Sequence, residues 1–163
     1  MPSIDDEVAA LRGQLRVLSD RLEIRDLLDR YVVALDTIDE TADDDWFSEL
    51  FTEDARFTFP IGSHTGLAGL AAFQRKARAR WARTHHLSAN HRIEQAGDTA
   101  TVRVHQLATH VHQGGDPSRT FDVGGYYEGR AVRTPSGWRF DRLSFHVVWS
   151  TGERLAEMTG AEF

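Results

Sequence analysis

Residues 84–112 read "THHLSANHRIEQAGDTATVRVHQLATHVH". Two strand-like runs flank "QAGD" at 95–98, where Gly and Asp mark a tight turn. Side chains of a strand point alternately to opposite faces. In the first run His86, Ser88 and Asn90 therefore share one face, and His85, Leu87, Ala89, His91 and Ile93 share the other. In the second, Gln106, Ala108, His110 and His112 alternate with His105, Leu107, Thr109 and Val111. The same grammar continues to the end of the domain, with turn signals at "QGGDPS" (113–118) and "TPSG" (134–137). The expected strands run about 85–95, 99–112, 120–134 and 137–149, an antiparallel meander.

Upstream the period changes from two to that of a helix. Leu11, Leu15, Leu18 and Leu22 form a one-sided apolar stripe. A second helix-start signal sits at "SDRLE" (19–23), where Asp20 can cap and Glu23 lies three residues on. A break near Ser19–Asp20 is expected, which makes residues 1–19 a helical arm, residues 20–155 the domain and 156–163 a tail. From Asp20 an apolar face continues through Leu27, Leu28, Tyr31, Val32 and Leu35. "TADDDWFSELF" (41–51) reads as a short capped helix, and "ARFTF" (55–59) as a strand ended by Pro60. "IGSHTG" (61–66) reads as a loop, and residues 67–82 as an amphipathic helix with Leu70, Phe73, Ala77 and Trp81 on its apolar stripe. Helices first and a meander after predict an α+β fold: a cone-shaped barrel of curved antiparallel sheet, packed with the N-terminal helices around a central pocket.

Composition narrows the function classes. The chain has 163 residues, enough for one domain with a sizeable core. Its net charge of −6 argues against nucleic acid, whose phosphates need a surplus of Lys and Arg. There are no cysteines, so disulfides, zinc–thiolate sites and a Cys nucleophile are excluded. A cytoplasmic protein without a membrane partner is the expectation, since no run of about 18 apolar residues occurs. No Gly-x-Ser-x-Gly elbow is present, and the glycines of "VGGYYEG" (123–129) lack the strand–loop–helix setting of a phosphate loop.

Several polar residues stand where chemistry is possible. Asp36 closes the apolar helix "YVVAL", and a carboxylate is electrostatically poor at a helix C-terminus. Such an acid either faces water or holds a partner elsewhere. Tyr31, five residues earlier, lies about 140° around the helix. The face carrying His86, Ser88 and Asn90 suits a polar pocket wall as well as an exposed sheet face. The pair His110-x-His112 has a spacing that can bind metal, but two residues are a weak signal and no metal is expected.

Four stretches then carry a resemblance: "IRDLLDRYVVALDTID" (24–39), "DDWFSELFTEDARFTF" (44–59), "THHLSANHRIEQAGDTATV" (84–102) and "GGYYEGRAVRTPSGWRF" (124–140). Together they resemble the SnoaL-like branch of the nuclear transport factor 2-like superfamily over roughly residues 20–150. Among its enzymes the active residues look most similar to those of scytalone dehydratase, bile acid 7α-dehydratase and hexachlorocyclohexane dehydrochlorinase. The resemblance implies an Asp from the first long helix, carried to Asp36, and a His at the start of the second strand, carried to His86. It also carries a tyrosine to Tyr31 and matches His105, Gln106 and Leu107 to a His-Gln-Leu run. A second active His falls at Val111 by count and goes to His110 with a one-residue shift. A pocket serine falls at Tyr126, and an expected late arginine has no match, with His146 standing nearby.

These assignments imply a cofactor-independent lyase or isomerase, dehydratase-like. His86 is the general base, oriented by Asp36. Tyr31 and His110 assist it. Tyr126, Asn90, Trp46, Phe59, Trp149 and His146 are the expected substrate contacts, and a small apolar cyclic molecule, polyketide- or steroid-like, is the expected substrate. The competing reading is a non-catalytic small-molecule-binding or accessory subunit of the same fold. The Leu11–Leu22 stripe and the family habit of packing sheets together imply a homodimer or homotrimer.

Overall fold

The computed structural model describes residues 1–39 and 41–155. The tail expected at 156–163 lies outside them. The first element, α1, spans Ile4–Thr37 as one helix of 34 residues. It begins at a capping box in which the Ser3 hydroxyl accepts from the Asp6 backbone N–H and Asp6 answers the Ser3 backbone. The break expected at Ser19–Asp20 is absent. Asp20 does not cap anything: it is buried, and its carboxylate accepts from Arg133, the Trp138 indole and Gln95. A side chain spent on tertiary contacts gives the backbone no alternative to continuing the helix.

Residues 1–19 of this helix are exposed, and burial begins at Asp20. From there Ile24, Leu27, Leu28, Tyr31 and Val32 turn one face into the core. A short α2 (Asp44–Phe47) is capped by Asp43 and seats Phe47 in that core. β1 (Phe51–Phe59) follows, and β2 (Gly62–Thr65) pairs antiparallel with it, so the expected loop at 61–66 is partly a strand. α3 (Leu70–Arg78) is shorter than the run 67–82. Gly69 caps it in the left-handed region (φ 80°), and Asp44 binds the N–H groups of Gly69 and Ala71, which fixes its start.

Four long strands complete the chain: β3 (Arg83–Ala96), β4 (Thr99–Val111), β5 (Thr120–Thr134) and β6 (Gly137–Gly152). Their bounds agree with the four runs expected from the sequence to within a few residues. All six strands form one sheet in the order β2-β1-β6-β5-β4-β3. The fold is the expected α+β cone, with two differences. β1 lies parallel to β6, so the sheet is mixed, and β2 and β3 remain as edges, so the curved sheet does not close into a barrel.

α1 crosses the concave side against β3 and β6. Its acids are the rivets of that contact. Asp20 meets Gln95, Asp29 meets His91 and Ser88, and Asp36 meets His86 and Thr84, so helix and strand run in opposite directions. The main core gathers Tyr31, Phe47, Phe51, Phe57, Trp138 and Phe140 among others. A second small cluster of Trp81, Ala108, Phe121 and Val123 sits apart from it. Between these two clusters the cone is not filled.

Candidate active site

The unfilled space is a cavity of about 140 Å³ whose walls come from both clusters. Tyr31 and Leu35 from α1, Gln74 from α3, His86 from β3, and Gln106 and His110 from β4 contribute to it. Tyr127 and Phe145 close it from β5 and β6.

His86 is the best-anchored polar group in the wall. Its Nδ1 lies 2.6 Å from Asp36 Oδ1, and its backbone N–H donates to Oδ2 at 2.8 Å. Thr84 Oγ1 donates to the same carboxylate at 2.7 Å. The alternation of β3 turns Thr84, His86 and Ser88 toward α1 and leaves His85 and Leu87 exposed on the other face. Burial alone would raise the Asp36 pKa. The hydrogen bonds from the His86 ring, the Thr84 hydroxyl and the His86 backbone outweigh it and hold the carboxyl at about 2. Asp36 is therefore a carboxylate at neutral pH. A carboxylate only accepts, so Nδ1 carries a ring proton, and in the neutral imidazole Nε2 is the atom with the lone pair.

His110 stands beside this pair, its ring edge-on to His86 with centroids 5.5 Å apart. Its Nδ1 is 3.0 Å from the Phe121 carbonyl oxygen, so that nitrogen is the donor and Nε2 the acceptor. Burial and then the neighbouring His86 push its pKa down to about 4. A neutral ring with a lone pair at Nε2 does not supply protons at pH 7. His112, the other half of the x-spaced pair, bonds the Glu153 carbonyl at 2.7 Å and packs on Trp81. Among the described residues no three His, Asp or Glu side chains stand together as a metal site would need.

Tyr31 is fully buried, and its pKa is raised well above the ordinary value, chiefly by that burial. Its oxygen accepts from Gln74 Nε2 at 2.8 Å, which leaves its own proton to donate. Phe59 stacks on it at 6.5 Å and lines the same cavity. So the cavity brings together Tyr31, Phe59, His86 and His110, with Asp36 behind His86.

Five expected contacts lie elsewhere. Tyr126 stacks on His146 (4.9 Å) and under Arg103 (3.5 Å) on the convex face. His146 pairs there with Glu128. The inward residues of β5 are Phe121, Val123 and Tyr127, so the cavity tyrosine is Tyr127, one residue on. Trp149 lies over Gly124 on that convex face, 47% exposed. Trp46 packs beside Phe47 and Arg30 at a separate groove. Asn90 is removed by a β-bulge between Ala89 and Arg92: it takes a left-handed φ of 56°, and its amide meets His105. The bulge reverses the alternation, which is why His91 and Ile93 turn inward.

Gln74, Gln106 and Tyr127 were not among the expected site residues. A glutamine within the apolar stripe of α3, and another on the His110 face of β4, were the signals that point to the first two.

A curved α+β cone with a histidine–carboxylate pair in its wall defines the class, and comparison with known proteins gives the family. The model of the SnoaL-like domain matches residues 16–144, and the chain belongs to that family, within the nuclear transport factor 2-like superfamily. No curated protein sequence matches the chain. Among solved structures it is similar to the Kfla4162 protein of Kribbella flavida, at 26% identity and TM-score 0.73, over 83% of this chain and 95% of that one. A scytalone dehydratase-like protein of Novosphingobium aromaticivorans shares the fold at 21% identity and TM-score 0.70, over 85% and 90% of the two chains. So does the type 3 hexachlorocyclohexane dehydrochlorinase of Novosphingobium barchaimii, at 22% and 0.73, over 92% and 97%.

Proposed function

We propose that the chain is a cofactor-independent lyase or isomerase of the dehydratase type. The observation that carries this reading is the His86 ring in the cavity wall, with Nδ1 donating to the Asp36 carboxylate at 2.6 Å. In that tautomer Nε2 is a base. It takes a proton from a ligand carbon next to a carbonyl, and Asp36 stabilises the imidazolium that forms. The electron pair of the broken C–H bond moves toward the carbonyl oxygen, where the Tyr31 hydroxyl donates a hydrogen bond. In elimination the C–O bond then breaks, and the imidazolium returns its proton to the departing hydroxide, which leaves as water. In isomerisation the same proton goes back to a different carbon. His110, neutral and an acceptor at Nε2, assists by holding a ligand hydroxyl rather than protonating it.

A general base is worth about 10²–10⁴-fold in rate. His86→Ala and Asp36→Asn are each expected to lower kcat/KM by that order, measured on cyclic hydroxyketones by loss of water or shift of the double bond. Unchanged turnover in either variant removes the pair from the chemistry. The binding-module reading has an opposite signature: ligands bind to both variants and to the native chain alike, and none is converted.

A further inference from the structure

The cavity wall contains two glutamines in opposite states. Gln74 spends its amide N–H on Tyr31. Gln106 is 2% exposed, and neither its Nε2 nor its Oε1 has a partner. The other buried polar atoms without partners belong to groups otherwise bonded. Arg78 donates to the Trp81 carbonyl, Gln95 to Asp20, and Asp122 accepts from Thr120. Of these enclosed groups among the described residues, Gln106 alone has both of its polar atoms unspent. Its neighbours across the sheet do not satisfy it: the Ser88 hydroxyl on β3 donates to Asp29, and Gly125 on β5 has no side chain. Leaving such a group unpaired inside a protein is unfavourable. A leucine there would avoid that cost.

Size and register restrict what Gln106 can meet. A cavity of about 140 Å³ is close to the ~150 Å³ of an apolar cavity that takes one benzene ring. Its walls are flat and apolar, with Phe59, Trp81, Phe121 and Phe145 among them. His86 pairs with Ala108 across β3 and β4, so Gln106 and His110 lie two residues to either side on the same face. A ligand oxygen on Gln106 therefore sets a ring carbon before His86.

We propose that Gln106 is the substrate-positioning residue of this cavity, and that it takes an oxygen substituent of a ligand with a single six-membered ring. Nε2 donates to that oxygen, and Oε1 accepts from it when it is a hydroxyl. The substrate class narrows to monocyclic ring ketones and their hydroxylated or phenolic relatives. Four fused steroid rings exceed that volume and would extend out of the cavity's open side. The proposal rests on the cavity being the substrate site, not on the lyase chemistry.

Phenol and toluene test it, being alike in shape, unlike in hydrogen bonding and inert to elimination. Calorimetric titration of the native chain and of Gln106→Leu is expected to show the ratio of toluene to phenol dissociation constants falling at least tenfold in the variant. A merely structural glutamine would shift both ligands together. A ratio unchanged within twofold, or no binding of phenol to the native chain, overturns the proposal. Should Gln106→Leu fail to fold, the side-chain amide resonance of Gln106 in the native chain is followed by NMR. It is expected to move with phenol and stay with toluene, and an unmoved resonance overturns the proposal too. Phenol binding through Gln106 alongside no conversion of any cyclic hydroxyketone by the native chain would leave this inference standing and remove the lyase reading.

Discussion

His110 shows how one residue's surroundings set its chemistry. The resemblance implied that it assists His86. Burial and the adjacent His86 hold its pKa at about 4, against an ordinary value of 6.5. The sign of the linkage follows. Between pH 6.5 and 4 the unfolded chain binds a proton at His110 that the native chain refuses, so stability falls as pH falls through that window. The loss approaches about 3 kcal/mol at its acid end. Urea unfolding at pH 7, 5.5 and 4 is expected to show this slope in the native chain and a flatter one in His110→Gln. Asp36 works over a lower window. Its depressed pKa contributes stability that is present above about 4 and lost as pH falls toward 2. Asp36→Asn therefore weakens the seam between α1 and β3 as well as the chemistry, a consequence invisible without the three donors around the carboxylate.

At the scale of elements, the seam between α1 and the sheet is polar where sequence patterning predicted a helix break. Asp20 gathers Arg133 at 2.6 Å, the Trp138 indole at 3.1 Å and Gln95 at 2.8 Å, with Arg133 also lying over the Trp138 ring. Arg133 is the next-to-last residue of β5 and Trp138 the second of β6, so this cluster ties the helix to the last hairpin. The Arg133 hydrogen bond, against the cost of burial, keeps the Asp20 carboxyl far below its ordinary range. Asp20→Ala leaves a guanidinium half-satisfied beside a buried indole, and breaking such a pair costs about 3–5 kcal/mol. Thermal and urea unfolding check this, and a loss under about 1 kcal/mol would show that Asp98 carries Arg133 alone. The bulge at Ala89–Arg92 is the other decisive element. One extra residue sends Asn90 outward and His91 inward, and nothing in a strict alternation foretells it.

For the whole molecule, the four long strands were legible because their periods and turns agree with one another, and the helical period of the first 40 residues was legible although its continuity through Asp20 was not. β2 was not, since its four residues, three of them exposed, carry no apolar alternation of their own and exist as a strand only against β1. The parallel placement of β1 beside β6 is likewise a long-range pairing without local signature. No helix among the described residues is long and apolar enough to cross a membrane. Residues 1–19 bury nothing, although Leu11, Leu15 and Leu18 are each more than half exposed. Deleting residues 2–15 is therefore expected to leave the thermal midpoint within about 3 °C. A larger fall, measured at several protein concentrations, would mean that this stripe is covered by contacts the isolated chain does not make.

By itself the sequence determined the α+β order, the strand bounds, and which of the two adjacent histidines shares a face with Ser88. These follow from period-two alternation, turn chemistry and capping, which are local. The tertiary structure decided that Asn90 turns away from the cavity, that His110 is an acceptor, and that Gln106 is left unpaired. Those outcomes depend on a bulge, on burial and on what stands across a strand, and each is set by residues distant in the chain.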